Sequence, residues 1–254
     1  MNRMSRSRRS MQGLSLVELM IAMTLGLIVL AALVSVFANT SASRAELERV
    51  SRQIENGRFA MELLSDDLRH AGFYGEANVK AVIVPGAMPD PCSIDKDVWK
   101  ASMPIHVQAY DNGNLLPPCF AGTRKPDTDV LVIRRASTCE AGVADCPVRQ
   151  PLEPYVQISK CADQTPITPF TIGTFGTDPF TLLAKNCTDP AELRKYIMRF
   201  YYISTDNGAG VAIPTLKRID LVGASFVETA LVEGIEELNL EYGIDTDGDG
   251  GPDA

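Results

Sequence analysis

Histidine and tryptophan are scarce in this sequence, which has two histidines and one tryptophan among 254 residues. Two histidines are too few for a multi-histidine metal centre and leave little scope for an imidazole-based catalytic triad. The Gly-x-Ser-x-Gly, Walker and zincin patterns of hydrolases, nucleotide-binding proteins and zinc proteases are also missing. His70 follows a helical stripe and His106 lies in an apolar run, so both are interpreted as structural or surface residues. We assign no catalytic residue, and the sequence does not favour an enzyme.

Positive charge is scarce outside the amino-terminal segment. The chain has 24 basic and 32 acidic residues, and four of the basic residues are arginines within the first 13 positions. The remainder therefore carries 20 basic against 32 acidic residues, a net charge of −12. A body this acidic repels the phosphate backbone of nucleic acids. We therefore expect no nucleic-acid partner.

Charged residues are absent from Leu19 to Ala38, a run of 20 residues. At about 1.5 Å per residue, a helix of that length crosses the roughly 30 Å hydrocarbon core of a bilayer. Four arginines precede the run and residues 39–56 have balanced charge, so the positive-inside rule places the N-terminus in the cytoplasm. The alternatives are an ordinary signal anchor and a signal peptide cleaved near Ala38, although the apolar region of signal peptides usually spans about 7 to 15 residues. Neither explains Glu18, a carboxylate at the edge of the run without a basic residue near it in the helix.

The residues before the apolar run form a recognisable leader. Arg8 and Arg9 are followed by Gly13, and Glu18 comes five residues after that glycine. This arrangement resembles the class III leader of type IV prepilins and of the pseudopilins of type II secretion. The resemblance implies that a membrane-embedded prepilin peptidase cuts between Gly13 and Leu14 and that the new N-terminus is methylated, with Leu14 at the position where phenylalanine is usual. It also implies that Glu18 pairs with the N-terminal amine of a neighbouring subunit, which supplies the cation that a carboxylate in hydrocarbon requires.

Apolar spacing predicts that the helix continues beyond the membrane segment. Intervals of three and four residues form one stripe, which comprises Leu47, Val50, Ile54, Gly57, Met61, Leu64 and Leu68. Charged residues, including Asp66 and Asp67, are assigned to the other faces. We therefore predict one helix from about Leu14 to His70, with its stripe packed on the protein's own sheet rather than in a separate coiled coil.

Beyond Gly75 the pattern changes to short β-type runs separated by proline, glycine and aspartate. Strands are predicted at Val79–Val84, Ile105–Tyr110, Asp129–Arg135, Tyr155–Ser159, Tyr196–Ser204, Thr215–Asp220, Ala224–Thr229 and Ile235–Tyr242. Strands of this length after one long helix indicate an α+β fold, with the helix packed on a mainly antiparallel sheet as in type IV pilins. The expected divisions are a cleaved leader at 1–13, a membrane-spanning or filament-core segment at 14–38, an amphipathic half-helix at 39–71 and a β-rich head at 72–254.

Three stretches of the second half carry a closer resemblance. They are Asp129–Arg135, Phe200–Ser204 and Leu231–Gly250. They resemble the PilW family of minor pilins, which is in turn similar to the J-type minor pseudopilins of type II secretion. The resemblance implies an inner-membrane protein with a periplasmic head that joins other minor pilins and the major pilin, primes assembly at the tip of a type IV pilus and so serves twitching motility. A J-type pseudopilin capping a short secretion pseudopilus is the alternative, and the leader does not separate the two.

All six cysteines follow the membrane segment, where an oxidising compartment favours disulfides. Six cysteines permit fifteen pairings. Close spacing favours a small loop between Cys139 and Cys146, while the pairs Cys92 with Cys119 and Cys161 with Cys187 are guesses. A zinc site is the alternative, but no Cys-x-x-Cys pair or adjacent histidine supports it.

The chain ends in an acidic turn that repeats the first part of a calcium-binding loop. Asp245, Asp247 and Asp249 alternate and are followed by Gly250, and Asp253 falls at the ninth position of the loop. The usual glutamate at position twelve would fall beyond Ala254. We therefore expect a low-affinity Ca²⁺ site, with a solvated turn as the alternative. PilW-like chains often continue past this motif, so the resemblance implies a further strand after it.

Overall fold

The computed structural model describes residues 15–76, 86–111, 119, 124–164 and 169–243. The chain divides into two compact units, Met1–Ile54 and Glu55–Ala254. A single helix, α1, contributes to both units and extends over the 54 residues Leu16–Arg69. The long helix predicted from the sequence is therefore confirmed over the described part of its range.

The second unit is built on a seven-stranded sheet in which every neighbouring pair is antiparallel. Its strands are β1 Val107–Tyr110, β2 Val130–Glu140, β3 Pro154–Ile158, β4 Phe170–Thr174, β5 Leu193–Ser204, β6 Thr215–Val222 and β7 Ser225–Glu233. A short helix, α2, occupies Lys96–Ser102, and the carboxylate of Asp95 caps it by accepting from the Asp97 amide at 2.8 Å. The predicted α+β class is therefore confirmed.

Strand β5 is the centre of the sheet because it pairs with three other strands. One edge of β5 follows β2, and the other edge pairs first with β3 through Leu193–Lys195 and then with β6 through Arg199–Ser204. The sheet consequently forks along β5 into a β3–β4 branch and a β6–β7 branch. Neither branch follows from the strand pattern alone, because pairing depends on contacts distant in sequence.

The two faces of the sheet bury separate cores. Alternating residues of β5 define them, since Tyr201 and Ile203 pack with Ala60 and Leu64 of α1 on one face. On the opposite face, a larger cluster packs with α2 and includes Trp99, Tyr196, Met198, Phe200 and Tyr202. The sheet is therefore covered by a helix on each side.

Helix α1 ends in a turn that requires glycine. Gly72 has a φ of +75°, and a Cβ at this position would lie 2.6 Å from Cγ of His106. The Gly72 amide donates to the carbonyl of Arg134 at 2.9 Å, and the Ala136 amide donates to the carbonyl of Phe73 at 2.6 Å. These bonds position the residues that follow α1 beside β2.

Six of the eight predicted strands form, and one prediction is wrong. Residues 235–242 are irregular because their backbone bonds Asp129. The Asp129 amide donates to the Leu238 carbonyl, and the Leu240 amide donates to the Asp129 carboxylate. Leu238 and Leu240 pack on the core that faces α1, so their apolar alternation reflects burial without strand pairing. The prediction for Val79–Val84 lies outside the described residues. Strand β4 and helix α2 were not predicted, because both are short.

Three disulfides join the cysteines in the pairs considered from the sequence. Cys92 bonds Cys119, Cys139 bonds Cys146, and Cys161 bonds Cys187. The first bridge joins a residue before α2 to one after β1, and the second joins the end of β2 to the residues that follow it. The third closes the long connection between β3 and β5.

Candidate functional site

The membrane-type stretch of α1 is apolar on all sides and is exposed along its whole length. Every residue from Leu16 to Ala38 is exposed in the structure. By length and composition, α1 is the one helix among the described residues that could cross a membrane. Side chains of this kind are stable only in lipid or against other apolar surfaces.

Glu18 lies in the first turn of α1, and the next charged residue along the helix is Arg44. Its carboxylate is exposed. The ion pairs among residues 15–54 join Arg49 to Glu46 and Arg52 to Glu48, so Glu18 has none there. The positive end of the helix dipole favours an acid in the first turn but does not replace a full counter-charge. Gly13 and Leu14, the expected cleavage pair, lie outside the described residues.

At its other end, α1 is attached to the sheet through a buried carboxylate. Asp67 is 2% exposed and receives two hydrogen bonds from Arg199 Nη1, at 2.8 and 2.9 Å. Arg135 also contacts Oδ1, with Nε at 3.0 Å and Nη2 at 2.9 Å. The Tyr201 hydroxyl donates to Oδ2 at 2.5 Å. One helical side chain thus joins β2 and β5.

The Asp67 carboxylate is held in its charged form. Burial by itself raises the pKa of Asp67, but hydrogen bonds from Tyr201 and Arg199 and the charges of Arg199 and Arg135 outweigh burial and lower that pKa overall. Burial and the hydrogen bond to Asp67 raise the pKa of Tyr201. Burial lowers the pKa of Arg199, but Asp67 raises it by more, so both groups keep their protons. The attachment is therefore ionic across the neutral pH range.

The network continues across the sheet to β6. Asp220 lies opposite Arg199 in the pairing of β5 with β6 and accepts from its Nε at 3.0 Å. Arg218 donates to the other oxygen of Asp220 at 2.7 Å. Arg199 thus bridges two carboxylates, which holds it in place beneath the helix.

The buried face of α1 differs from the predicted stripe. Ala60, Leu64 and Asp67 are the buried residues, whereas Met61 is 63% and Leu68 is 38% exposed. The prediction placed Asp67 on a face other than the stripe, because it does not follow the apolar spacing. Its three partners come from β2 and β5, far away in the sequence, so helical periodicity could not reveal them.

A second attachment lies closer to the start of this unit. The Asn56 side-chain amide donates to the carbonyl of Glu233, at the end of β7, at 3.0 Å. Ala60 and Leu64 then pack on the sheet between this bond and Asp67. Three successive turns of α1 therefore contact the sheet.

The expected calcium ligands Asp245, Asp247, Asp249 and Asp253 lie outside the described residues. Among the residues that are described, Cys161, Asp163 and Cys187 group closely enough to suggest a metal site. The two cysteines form a disulfide, so their sulfur atoms are not available as thiolates.

Two family comparisons match the two ends of this chain. Residues 8–34 match the Prokaryotic N-terminal methylation motif, a range that contains Gly13, Leu14 and Glu18. Residues 200–254 match PilW, the Type IV Pilus-assembly protein W. These matches support a PilW-like minor pilin of type IV pili. Comparison with curated proteins and with solved structures returned no match.

The PilW match of this minor pilin begins inside β5 and includes β6 and β7. Tyr201, which binds Asp67, lies within the matched residues, while Arg199 precedes them. Pilin-family domains are structural proteins, which agrees with the lack of enzyme motifs in the sequence.

Proposed function

We propose that this minor pilin enters the inner membrane with its N-terminus in the cytoplasm and its head in the periplasm. Prepilin peptidase then cuts between Gly13 and Leu14, and the new N-terminus is methylated. The processed protein joins other minor pilins at the fibre tip and primes assembly of the major pilin. The observation that carries this proposal is the fully exposed apolar length of α1 from Leu16 to Ala38.

The exposed apolar surface of α1 allows the same helix to lie first in the membrane and then in the fibre. In the membrane, lipid covers the helix; in a fibre, helices of other subunits can cover the same side chains. Because hydrocarbon and apolar side chains are similar surroundings, transfer from one to the other costs little in hydrophobic free energy. Polar groups must therefore determine which helices pair in the fibre, and Glu18 is the charged group in this segment.

Cleavage gives Glu18 a partner that it otherwise lacks. Before cleavage, the Leu14 nitrogen is part of an uncharged peptide bond; after cleavage, it becomes a charged amine. A carboxylate in hydrocarbon is unfavourable, by about 2.5 to 3.5 kcal/mol at the centre of a membrane helix, and pairing with the amine of a neighbouring subunit offsets the cost that Glu18 incurs near the helix end. Processing would then control assembly, since an uncut subunit could insert but not pair.

The PilW match supports a role in assembly rather than in the bulk of the fibre. The matched family is described by its part in pilus assembly. A protein needed to start a fibre is required in few copies, whereas a bulk subunit is required along the whole length. The number and position of copies in a fibre therefore distinguish the two roles.

The proposal is tested by deleting the gene and restoring it with the wild-type sequence. We expect loss of most sheared pili in the deletion strain, unchanged secretion of exoproteins, and immunogold labelling confined to one fibre end in the restored strain. Labelling along the fibre would indicate a bulk subunit. Normal pili together with lost secretion would instead support a J-type pseudopilin.

A further inference from the structure

The apolar stripe of α1 lies beyond the membrane segment. It comprises Leu47, Val50, Ile54, Gly57, Met61, Leu64 and Leu68. Residues 39–46 separate the stripe from the membrane segment, and six of these eight residues are polar or charged. They form about 12 Å of helix, so the stripe begins outside the hydrocarbon core. Lipid therefore does not cover its apolar side chains.

The protein's own sheet does not cover the stripe either. Leu64 is the only one of its seven residues that is buried, whereas Ile54 is 59% and Met61 is 63% exposed. Leu47 and Leu68, at the two ends of the stripe, are exposed as well. Apolar side chains that are aligned and remain exposed indicate contact with another protein.

Gly57 occupies the middle of the stripe, where no contact within the described chain requires a glycine. After proline, glycine is the least favourable residue for a helix interior. A Cβ at position 57 would have no other part of the described chain within 4 Å, and Gly57 is not among the glycines with positive φ. Gly72 differs, because its positive φ and the nearby His106 exclude other residues. The reason for a glycine at position 57 therefore points outside this chain.

The spacing of the stripe matches a second helix. Positions 47, 54, 61 and 68 form one seven-residue repeat, and positions 50, 57 and 64 form another. Two interleaved repeats of this kind bring one side of a helix against a partner helix over several turns. A small residue within such a contact allows the two backbones to approach closely. Gly57 supplies that residue, while Leu64 is shared with the core beneath α1.

A different pilin subunit fits this surface better than a second copy does. Helices of other subunits cover the stretch from Leu16 to Ala38 in the proposed function, and α1 is unbroken from Leu16 to Arg69. A neighbouring helix can therefore continue from the apolar stretch to the stripe. A second copy is disfavoured because each copy has a net charge of −12 after Gly13, so two copies repel each other.

We propose that the stripe from Leu47 to Leu68 binds the N-terminal helix of a different pilin subunit, with the closest approach of the two backbones at Gly57. The helices are parallel, because both subunits enter the membrane with the N-terminus in the cytoplasm. This inference rests on the proposed function, which supplies the neighbouring subunit. It adds a contact outside the membrane to the pairing of Glu18.

Gly57→Leu separates contact with a partner from stability of the chain itself. Because leucine favours a helix and the position is open, the Tm of the full chain in a non-ionic detergent should equal or exceed that of wild type. The amount in sheared fibres should nevertheless fall about tenfold, a size that overpacking a close contact typically produces. The matched control is Glu55→Leu, at an exposed residue two positions away and so on another side of the helix, which should assemble normally.

The outcomes of this experiment distinguish the inference from the proposed function. A Tm well below wild type would show that the chain itself requires Gly57, and would overturn the inference. Equal incorporation of Gly57→Leu, Glu55→Leu and wild type would also overturn it but leave the proposed function intact. Absence of the wild-type protein from fibres would refute the proposed function as well.

Cross-linking in cells identifies the partner. A photoreactive benzoylphenylalanine replaces Met61 on the stripe or, as the control, Phe59, which is 54% exposed on another side of α1. We expect an adduct from position 61, but not from position 59, in which mass spectrometry locates the cross-linked residue in the N-terminal helix of another pilin. An adduct only with a second copy, an adduct with a pilin head, or the same adduct from both positions would overturn the inference.

Discussion

The buried carboxylate of Asp67 gives the sharpest prediction about this minor pilin. Replacing it in Asp67→Asn keeps the size of the side chain but removes the negative charge that Arg135 and Arg199 share. The asparagine amide would also direct a donor toward side chains that are themselves donors. We therefore expect the last turns of α1 to be held less firmly on the sheet.

The expected loss of unfolding free energy is about 3 kcal/mol. Removing one partner of a buried ion pair typically costs 3 to 5 kcal/mol, because the remaining charge is left without compensation. The lower end applies, since Arg199 retains Asp220 at 3.0 Å and the Arg135 side chain is 11% exposed. A change of about 3 kcal/mol is a large part of the 5 to 15 kcal/mol that stabilises a typical domain.

The matched control is the neighbouring aspartate. Asp66 has a side chain that is 72% exposed, so Asp66→Asn should change stability by less than about 0.5 kcal/mol. The assay is urea unfolding of the full chain in detergent, followed by Trp99 fluorescence. Trp99 is the only tryptophan and is 3% exposed in the core opposite α1, so it reports on the sheet. The midpoint should fall for Asp67→Asn while the slope with urea stays the same.

A pH series provides the refutation. Folding lowers the pKa of Asp67 below its ordinary value of 3.8. The stabilisation is therefore fully present above pH 3.8 and is lost as the pH falls through the lower value of the folded state. The gap between wild type and Asp67→Asn should be constant near neutrality and close in strong acid. Equal effects of Asp66→Asn and Asp67→Asn, or a gap that persists in acid, would contradict the ionic attachment.

The remaining predictions concern the two ends of the chain. Gly13→Ala should block cleavage, so mass spectrometry should find the leader still attached; normal processing to a methylated Leu14 would contradict the leader assignment. Glu18→Ala should insert in the membrane but be lost from sheared fibres, while Glu46→Ala, at an exposed residue of the same helix, should assemble normally; equal incorporation of both would refute the pairing role. If the acidic turn binds Ca²⁺, millimolar Ca²⁺ should raise the Tm more than Mg²⁺ does, and a double Asp247→Ala, Asp249→Ala variant should lose that rise; an equal response to both ions would indicate charge screening.

Local patterns allowed much of this fold to be predicted from the sequence. The apolar run before Asn39 predicts a membrane-type helix because bilayer thickness sets its length, whatever the rest of the chain does. Alternating runs such as those of β2 and β5 predict strands because one face of each is buried. The pattern at 235–242 shows the limit of this reasoning, since apolar alternation there accompanies burial without a strand partner.

The candidate site likewise has residues that the sequence reveals and residues that only the structure reveals. The leader and Glu18 are recognisable in the sequence because their function depends on short, fixed spacing. Helical periodicity assigned Asp67 to a face other than the apolar stripe, and only the tertiary structure brings Arg135, Arg199 and Tyr201 around it. The burial of a charge depends on partners that are distant in sequence, so the sequence determined the helix and most strands, whereas the tertiary structure decided which charges are buried and how they are paired.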